Sequence, residues 1–193
     1  MRPTLVYAGS ITALRGLYEM LELIRDLKPF YPDILLRLAG PISIAAQKEE
    51  ARKRIAAYGI GENILLTGRL SHEEIHQQIA LSDIGLALLH PEPNYLESLP
   101  TKLFEYMMMG KPVIVSDFPL WQRIVAGAEC GYTLNPLDRS ALSQAVHKLL
   151  ASPALGAEMG RRGRQAVLQQ YNWQSQSALL VGFYQALLAG TAS

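Results

Sequence analysis

The sequence predicts an α/β domain, a Rossmann-like, doubly wound parallel sheet of about six strands with helices on both faces. Three observations lead there. Six short apolar runs recur along the chain, and each closes on a turn former. Segments with the apolar spacing of helices lie between them. The runs are also nearly continuous in their apolar character, as strands covered on both faces are.

In chain order the runs are residues 4–9 (TLVYAG), 34–40 (ILLRLAG), 63–68 (NILLTG), 83–90 (DIGLALLH), 112–117 (PVIVSD) and 131–136 (GYTLNP). They end at or before Gly9, Gly40, Gly68, Pro91, Asp117 and Pro136. Strands that alternate with helices join by right-handed crossovers into a parallel sheet. The helices bring their own punctuation. Ser43 is placed to cap the second, and Gly59 before Ile60 suits a Schellman stop. Ser71 with Glu74 makes a capping box for the third. Asp138 opens a helix whose Ala141, Leu142, Ala145, Val146, Leu149 and Leu150 form one stripe. Ser152-Pro153 reads as a cap followed by proline at the first helical position, leaving two extra helices at the end. No internal repeat, linker or low-complexity stretch divides the chain.

Composition narrows the function. The length of 193 residues suits one domain with a filled core, and 49% hydrophobic against 18% charged residues excludes disorder. A net charge of +1 gives no basic face, so nucleic acid is not an expected partner. Any bound anion must be held by a few placed groups. One cysteine, Cys130, forms no disulfide framework and suits a reducing cytoplasm; it reads as packing, not as a nucleophile. No apolar run reaches the length of a transmembrane segment, and the opening residues are unlike a leader peptide. The chain enters its first strand so abruptly that a preceding domain is expected.

Three motifs fail. His72-Glu73-Glu74-Ile75-His76 fits the zinc-protease pattern, but the helix is short and no third ligand follows at a suggestive position. We read it as a solvated face and assign no metal. Gly9 and Gly16 stand seven apart with nothing glycine-rich between them, unlike a dinucleotide fingerprint. Gly110-Lys111 resembles a phosphate loop, yet Pro112 stands where Ser or Thr should hold magnesium. No cofactor is expected.

The informative segment is residues 90–117, HPEPNYLESLPTKLFEYMMMGKPVIVSD. A proline-rich loop leads to a helix that starts near Pro100 and stops at Gly110, with Met107 to Met109 as core filler. In such a sheet, ligands sit beyond the carboxyl ends of the strands, where this helix presents its N-terminus. Free N–H groups there cradle a phosphate. A carboxylate further into the helix repels phosphate but accepts bonds from the diol of a ribose. Glu105 is so placed, and Glu97, eight residues earlier in the loop, could grip sugar hydroxyls. That is the outline of a sugar nucleotide.

ESLPTKLFEYMMMGKPVIVSD resembles the Glu-x7-Glu segment of the family 4 (group 1) glycosyltransferases, which have the GT-B architecture. YAGSITALRG, NILLTGRLSHEEI, IALSDIGLALLHP and the closing YNWQ are similar to other parts of that family's C-terminal, donor-binding domain. The resemblance covers the whole chain as a single domain and implies that an N-terminal acceptor domain is absent. It implies roles residue by residue. Glu105 binds the ribose, Glu97 contacts the donor sugar, and Arg15 contacts the phosphates. The backbone of Ser98, Leu99, Pro100 and Thr101 faces the diphosphate, and Gly68, Arg69 and Leu70 lie along the base. Gly9 opens the first phosphate-contacting loop. There Gly9-Ser10 stands where the family often has Gly-Arg, and Lys102, at the helix start, could replace the lost cation.

The implied reaction is retaining, metal-independent transfer from a UDP- or GDP-type sugar to an acceptor hydroxyl, in cell-surface polysaccharide or glycolipid synthesis. Glu97 and Arg15 would be the catalytic groups, and the diphosphate charge would build up opposite oriented amides. The last helix, with Trp173, Leu180, Phe183, Tyr184 and Leu187, would pack on the absent domain. That domain could bring the protein to a membrane surface. Alone, the chain is expected to self-associate and to be inactive. A non-catalytic nucleotide-sugar-binding module is the alternative reading, and an epimerase of the same architecture is a third.

Overall fold

All six expected strands are present, and each is shorter than its apolar run, losing residues at one or both ends. The computed structural model describes residues 2–190. It contains β1 (Thr4–Ala8), β2 (Leu35–Ala39), β3 (Ile64–Leu66), β4 (Ile84–Ala87), β5 (Val113–Ser116) and β6 (Gly131–Leu134). Every pairing is parallel, in the order β3-β2-β1-β4-β5-β6. The chain returns to the middle between β1 and β4, so their carboxyl ends flank the switch point where such sheets open a crevice.

Alternate strand residues feed two cores. Leu5, Tyr7, Leu36, Leu38, Ile84, Leu86 and Ile114 meet α1 (Leu17–Leu27) and α7 (Arg139–Ala151) on one face. Val6, Ala8, Ala87, Val113 and Val115 meet the other face. There lie α3 (His72–Ala80), α5 (Thr101–Met108), α6 (Pro119–Ala128) and α8 (Pro153–Gln169). The helix α2 (Ala45–Ala57) buries only Ala51, as suits a helix at the β3 edge.

The helix punctuation holds in most places. Ser71 and Glu74 form the capping box: the Glu74 N–H donates to Ser71 Oγ at 3.3 Å and the Ser71 N–H donates to Glu74 Oε2 at 2.7 Å. The Asp138 side chain accepts from the Ala141 N–H at 3.0 Å. After α2, the Ile60 N–H donates to Ile55 O and the Gly59 N–H to Ala56 O, the paired bonds of a Schellman stop. Gly110 ends α5 in the same way. Two caps differ from expectation. The N-cap of α2 is Ile44, one residue beyond Ser43, with no side-chain bond; Ser152 does occupy the N-cap position before Pro153, but its side chain makes no capping bond. Of the three methionines read as core filler, only Met107 is buried; Met108 and Met109 fall on the outer side of α5's last turn. Cys130 is fully buried, and burial pushes its thiol up to about 11, so it packs and does not react.

The closing helix α9 (Trp173–Gly190) carries apolar residues on more than one side. The consecutive residues Leu179, Leu180 and Val181 are all exposed, together with Trp173, Phe183 and Tyr184. Among the described residues, no helix is long and apolar enough to cross a membrane.

Candidate functional site

A cavity of about 470 Å³ opens at the switch point. Its lining includes Ala8 and Gly9 from the end of β1, Arg15 from the loop that follows, Asn94 to Leu99 in part, and Pro100, Thr101, Lys102 and Glu105 of the α5 entry. Ile75 of α3 and Leu89 after β4 close it with apolar surface. The size suits a small-molecule site.

Each charged group is positioned by the fold. Arg15 ends a single 3-10 turn (Ala13–Arg15) between β1 and α1. Gly16 follows in the left-handed region at φ 82°, and a Cβ there would lie 2.3 Å from Leu88 O, so only glycine lets this loop pack against the backbone just after β4. The His90 N–H completes the tie by donating to Leu14 O. The Arg15 guanidinium donates to Ser10 O at 3.2 Å and to the Tyr95 hydroxyl at 3.4 Å, lying 5.9 Å from the Tyr95 ring centre. Tyr95 belongs to α4 (Pro93–Leu96), a one-turn helix inside the segment read from sequence as a loop. The proline at its first position pre-sets the helical φ.

Lys102 lies one turn before Glu105 on α5, and its Nζ sits 5.0 Å from the centre of the Tyr7 ring. Burial and the Arg15 charge push the Lys102 ammonium down to about 8, while Glu105 acts the other way. A residue larger than Gly9 would meet its side chain, since a Cβ there would lie 3.7 Å from Lys102 Cε. Burial raises the Tyr7 and Tyr106 hydroxyls well above the ordinary range, so both stay neutral. The fully buried Tyr106 locks α5 to the sheet: its hydroxyl accepts from the Ala8 N–H at 2.8 Å and donates to Leu86 O at 3.2 Å. Trp121 of α6 holds the opposite wall by donating to Ser98 O at 2.7 Å. No side chain caps α5, whose first turn forms part of the lining. Two cations, one carboxylate and an uncapped helix start therefore share one cavity, an arrangement suited to an anion that carries hydroxyls.

Residues 1–166 match the family model described as glycosyl transferases group 1. The chain belongs to the group 1 glycosyl transferases. Relatives within the family include the alpha-D-kanosaminyltransferase of Streptomyces kanamyceticus, 24% identical over 96% of this chain and 46% of that protein. The MMP alpha-(1->4)-mannosyltransferase of Mycolicibacterium hassiacum is 25% identical over 96% and 43%. The chain thus spans about half the length of the curated relatives it matches. Its fold is that of the C-terminal domain of a group 1 glycosyl transferase, LpcC, from Francisella tularensis (TM-score 0.78, 20% identity, 89% of this chain and 87% of that one). It is equally that of half of Anabaena HepE, solved in complex with UDP (TM-score 0.85, 14% identity, 96% and 49%).

Of the positions assigned from the group 1 resemblance, Gly9, Arg15, Ser98, Leu99, Pro100, Thr101, Lys102 and Glu105 share the cavity. Glu97 follows α4, is exposed and lies off the lining. Gly68 and Arg69 are exposed after β3, and Leu70 packs partly buried beside Trp121's cluster; none of the three lines the cavity. Asn94, Tyr95, Ile75 and Leu89 were not anticipated. The signal for Tyr95 was Pro93, since proline at a helix start marks the turn that aims the ring. His72 is exposed as expected, but His76 is half-buried, and both lie within 4.8 Å of Glu105 at their ligand atoms.

Proposed function

We propose that the cleft binds a nucleoside-diphosphate sugar, of UDP or GDP type, for transfer to an acceptor hydroxyl. The observation that carries this reading is the convergence of Lys102 and Glu105, one turn apart on α5, with Arg15 around a single cavity at the switch point. The carboxylate accepts from the ribose diol, and the two cations and the first turn of α5 meet the diphosphate. Gly68 to Leu70 lie along the base. As the anomeric bond breaks, negative charge grows on the diphosphate, and groups already fixed around it stabilise that state beyond the ground state. Side chains supply the positive charge, so the transfer is metal-independent, and it retains anomeric configuration. Glu97, next in sequence to the lining residues Ser98 and Leu99, meets the donor sugar at the edge of the cavity. The complexes of Anabaena HepE with UDP and with UDP-glucose support a donor site on this fold.

The acceptor binds on an N-terminal domain, as the half-length match to the relatives suggests. α9 packs against that domain, and the product belongs to polysaccharide or glycolipid synthesis in the cytoplasm. Calorimetry with UDP, GDP and their sugar conjugates tests the site. We expect one of the nucleotides to bind, and Glu105→Ala to weaken it about 10- to 100-fold, the loss of hydrogen bonds to a charged group worth ~1.5–3 kcal/mol. Unchanged affinity in Glu105→Ala would remove the basis of the assignment.

A further inference from the structure

The histidine pair on α3 is not used by the transfer chemistry, and the fold gives it a partner that its sequence neighbours do not supply. His72 and His76 share one helix face, with ring centres 4.5 Å apart. Glu105, arriving on α5, brings a carboxylate oxygen so that one ligand atom from each of the three residues lies within 4.8 Å of the others. A tetrahedral zinc with bonds near 2.1 Å needs its ligand atoms about 3.4 Å apart. Closing to that spacing is a matter of about an ångström at each ligand atom, the scale of rotation about the side chains' own torsions.

Two imidazoles and one carboxylate, with a fourth position open to water, form a ligand set suited to zinc-class cations. Both helices that carry the ligands are fixed to the same sheet. The capping box that starts α3 also engages the Glu74 carboxylate, leaving it outside the triad. Tyr106, next to Glu105, is bonded to β1 and β4 through its buried hydroxyl. The charge that Glu105 faces within the cleft is Lys102, and a divalent cation would take that partner's place.

We propose that His72, His76 and Glu105 form a three-ligand site for a divalent transition cation of the zinc class, and that cation and nucleotide exclude one another because each requires the Glu105 carboxylate. The second half rests on the donor-site reading given above; the first half does not. The cation is then an inhibitor that closes the ribose end of the cleft, separate from the metal-free transfer itself.

Metal binding is measured first, without nucleotide, by titrating the chain with Co2+ and Zn2+ and following visible Co2+ absorption and heat. One cation per chain, with a tetrahedral cobalt spectrum lost in His72→Ala/His76→Ala and in Glu105→Gln, is the expected result. Absence of binding, or binding indifferent to these substitutions, overturns the site. Circular dichroism of the variants confirms that the fold is kept. UDP affinity is then measured with and without Zn2+. We expect zinc to weaken UDP in the wild type by about tenfold or more, as for loss of the Glu105 hydrogen bonds, and the double histidine variant to show only the smaller effect of zinc held by the diphosphate. A wild-type effect no larger than the variant's, with the metal shown to bind, overturns the exclusion. A chain that binds metal through these residues but no nucleotide refutes the donor-site reading and leaves the metal site standing.

Discussion

Lys102 holds its proton less firmly than an exposed lysine, and that fixes how the cleft should respond to pH. Its ammonium, ordinarily at 10.5, is pushed down to about 8 by burial and by Arg15. A bound diphosphate favours the charged form, so above pH 8 binding must be accompanied by proton uptake. We expect UDP affinity to be level near neutrality and to fall by up to about tenfold per pH unit above 8. Lys102→Arg, which cannot lose its proton, should flatten the curve. Calorimetry across this range decides it, and a flat wild-type profile would contradict the role. Stability runs the other way. The unfolded lysine binds more protons between 8 and 10.5, so the penalty for burying the ammonium is full below the folded value and fades as pH rises through that window. At this scale the sequence showed residue types and spacing: Arg15 before Gly16, and Lys102 before Glu105. It did not show that Tyr7 would lie under the Lys102 ammonium, because that contact joins β1 to α5 across the switch point.

At the scale of elements, the site depends on α5 being seated on the sheet. The seat is the Tyr106 hydroxyl, and the ring packs so close to β4 that a Cβ on Gly85 would lie 2.4 Å from it. Tyr106→Phe leaves the buried Ala8 N–H without a partner, which costs about 1–3 kcal/mol. We expect chemical denaturation to show that loss, with a nucleotide affinity that falls as Glu105 and Lys102 lose their register; a neutral substitution would mean that packing alone seats the helix. The caps and stops of α2, α3 and α7 were legible because Ser71, Glu74, Asp138 and Gly59 act on backbone groups within a few residues of themselves. The turn α4 was obscured because a segment with three prolines between 90 and 100 reads as loop, although Pro93 starts a helix. Ser43 illustrates the converse: a good capping residue was bypassed when the helix began one position later.

Over the whole molecule, exposed apolar side chains are concentrated on α9. Trp173 is 76% exposed and Phe183 61%, and apolar residues are spread around the helix, which is the pattern of a helix meant to be covered. We expect the chain to associate as its concentration rises and Leu180→Glu with Phe183→Glu to return it to a monomer in sedimentation equilibrium. Monomeric wild type at high concentration would count against exposed α9 as the cause. For the same reason we expect no transferase turnover from these 193 residues alone and its appearance when an N-terminal domain is supplied, since the relatives are about twice this length. Robust turnover by the isolated chain would refute that division of labour.

The sequence by itself determined the layered fold, because burial on two faces writes continuous apolar runs, and punctuation acts locally enough to survive in one dimension. It also determined which helix carries the carboxylate, since Glu105 and the stop at Gly110 lie on one contiguous segment. Only the tertiary structure decided which of the assigned residues share a cavity: Arg15, Lys102 and Glu105 do, while Glu97, Gly68 and Arg69 lie off its lining. It likewise decided that the Glu105 carboxylate, from another helix, comes within 4.8 Å of the His72 and His76 ring nitrogens. These are relations between segments distant in the chain, set by the parallel order that places β1 beside β4, and no local pattern of residue types encodes a distance across that gap.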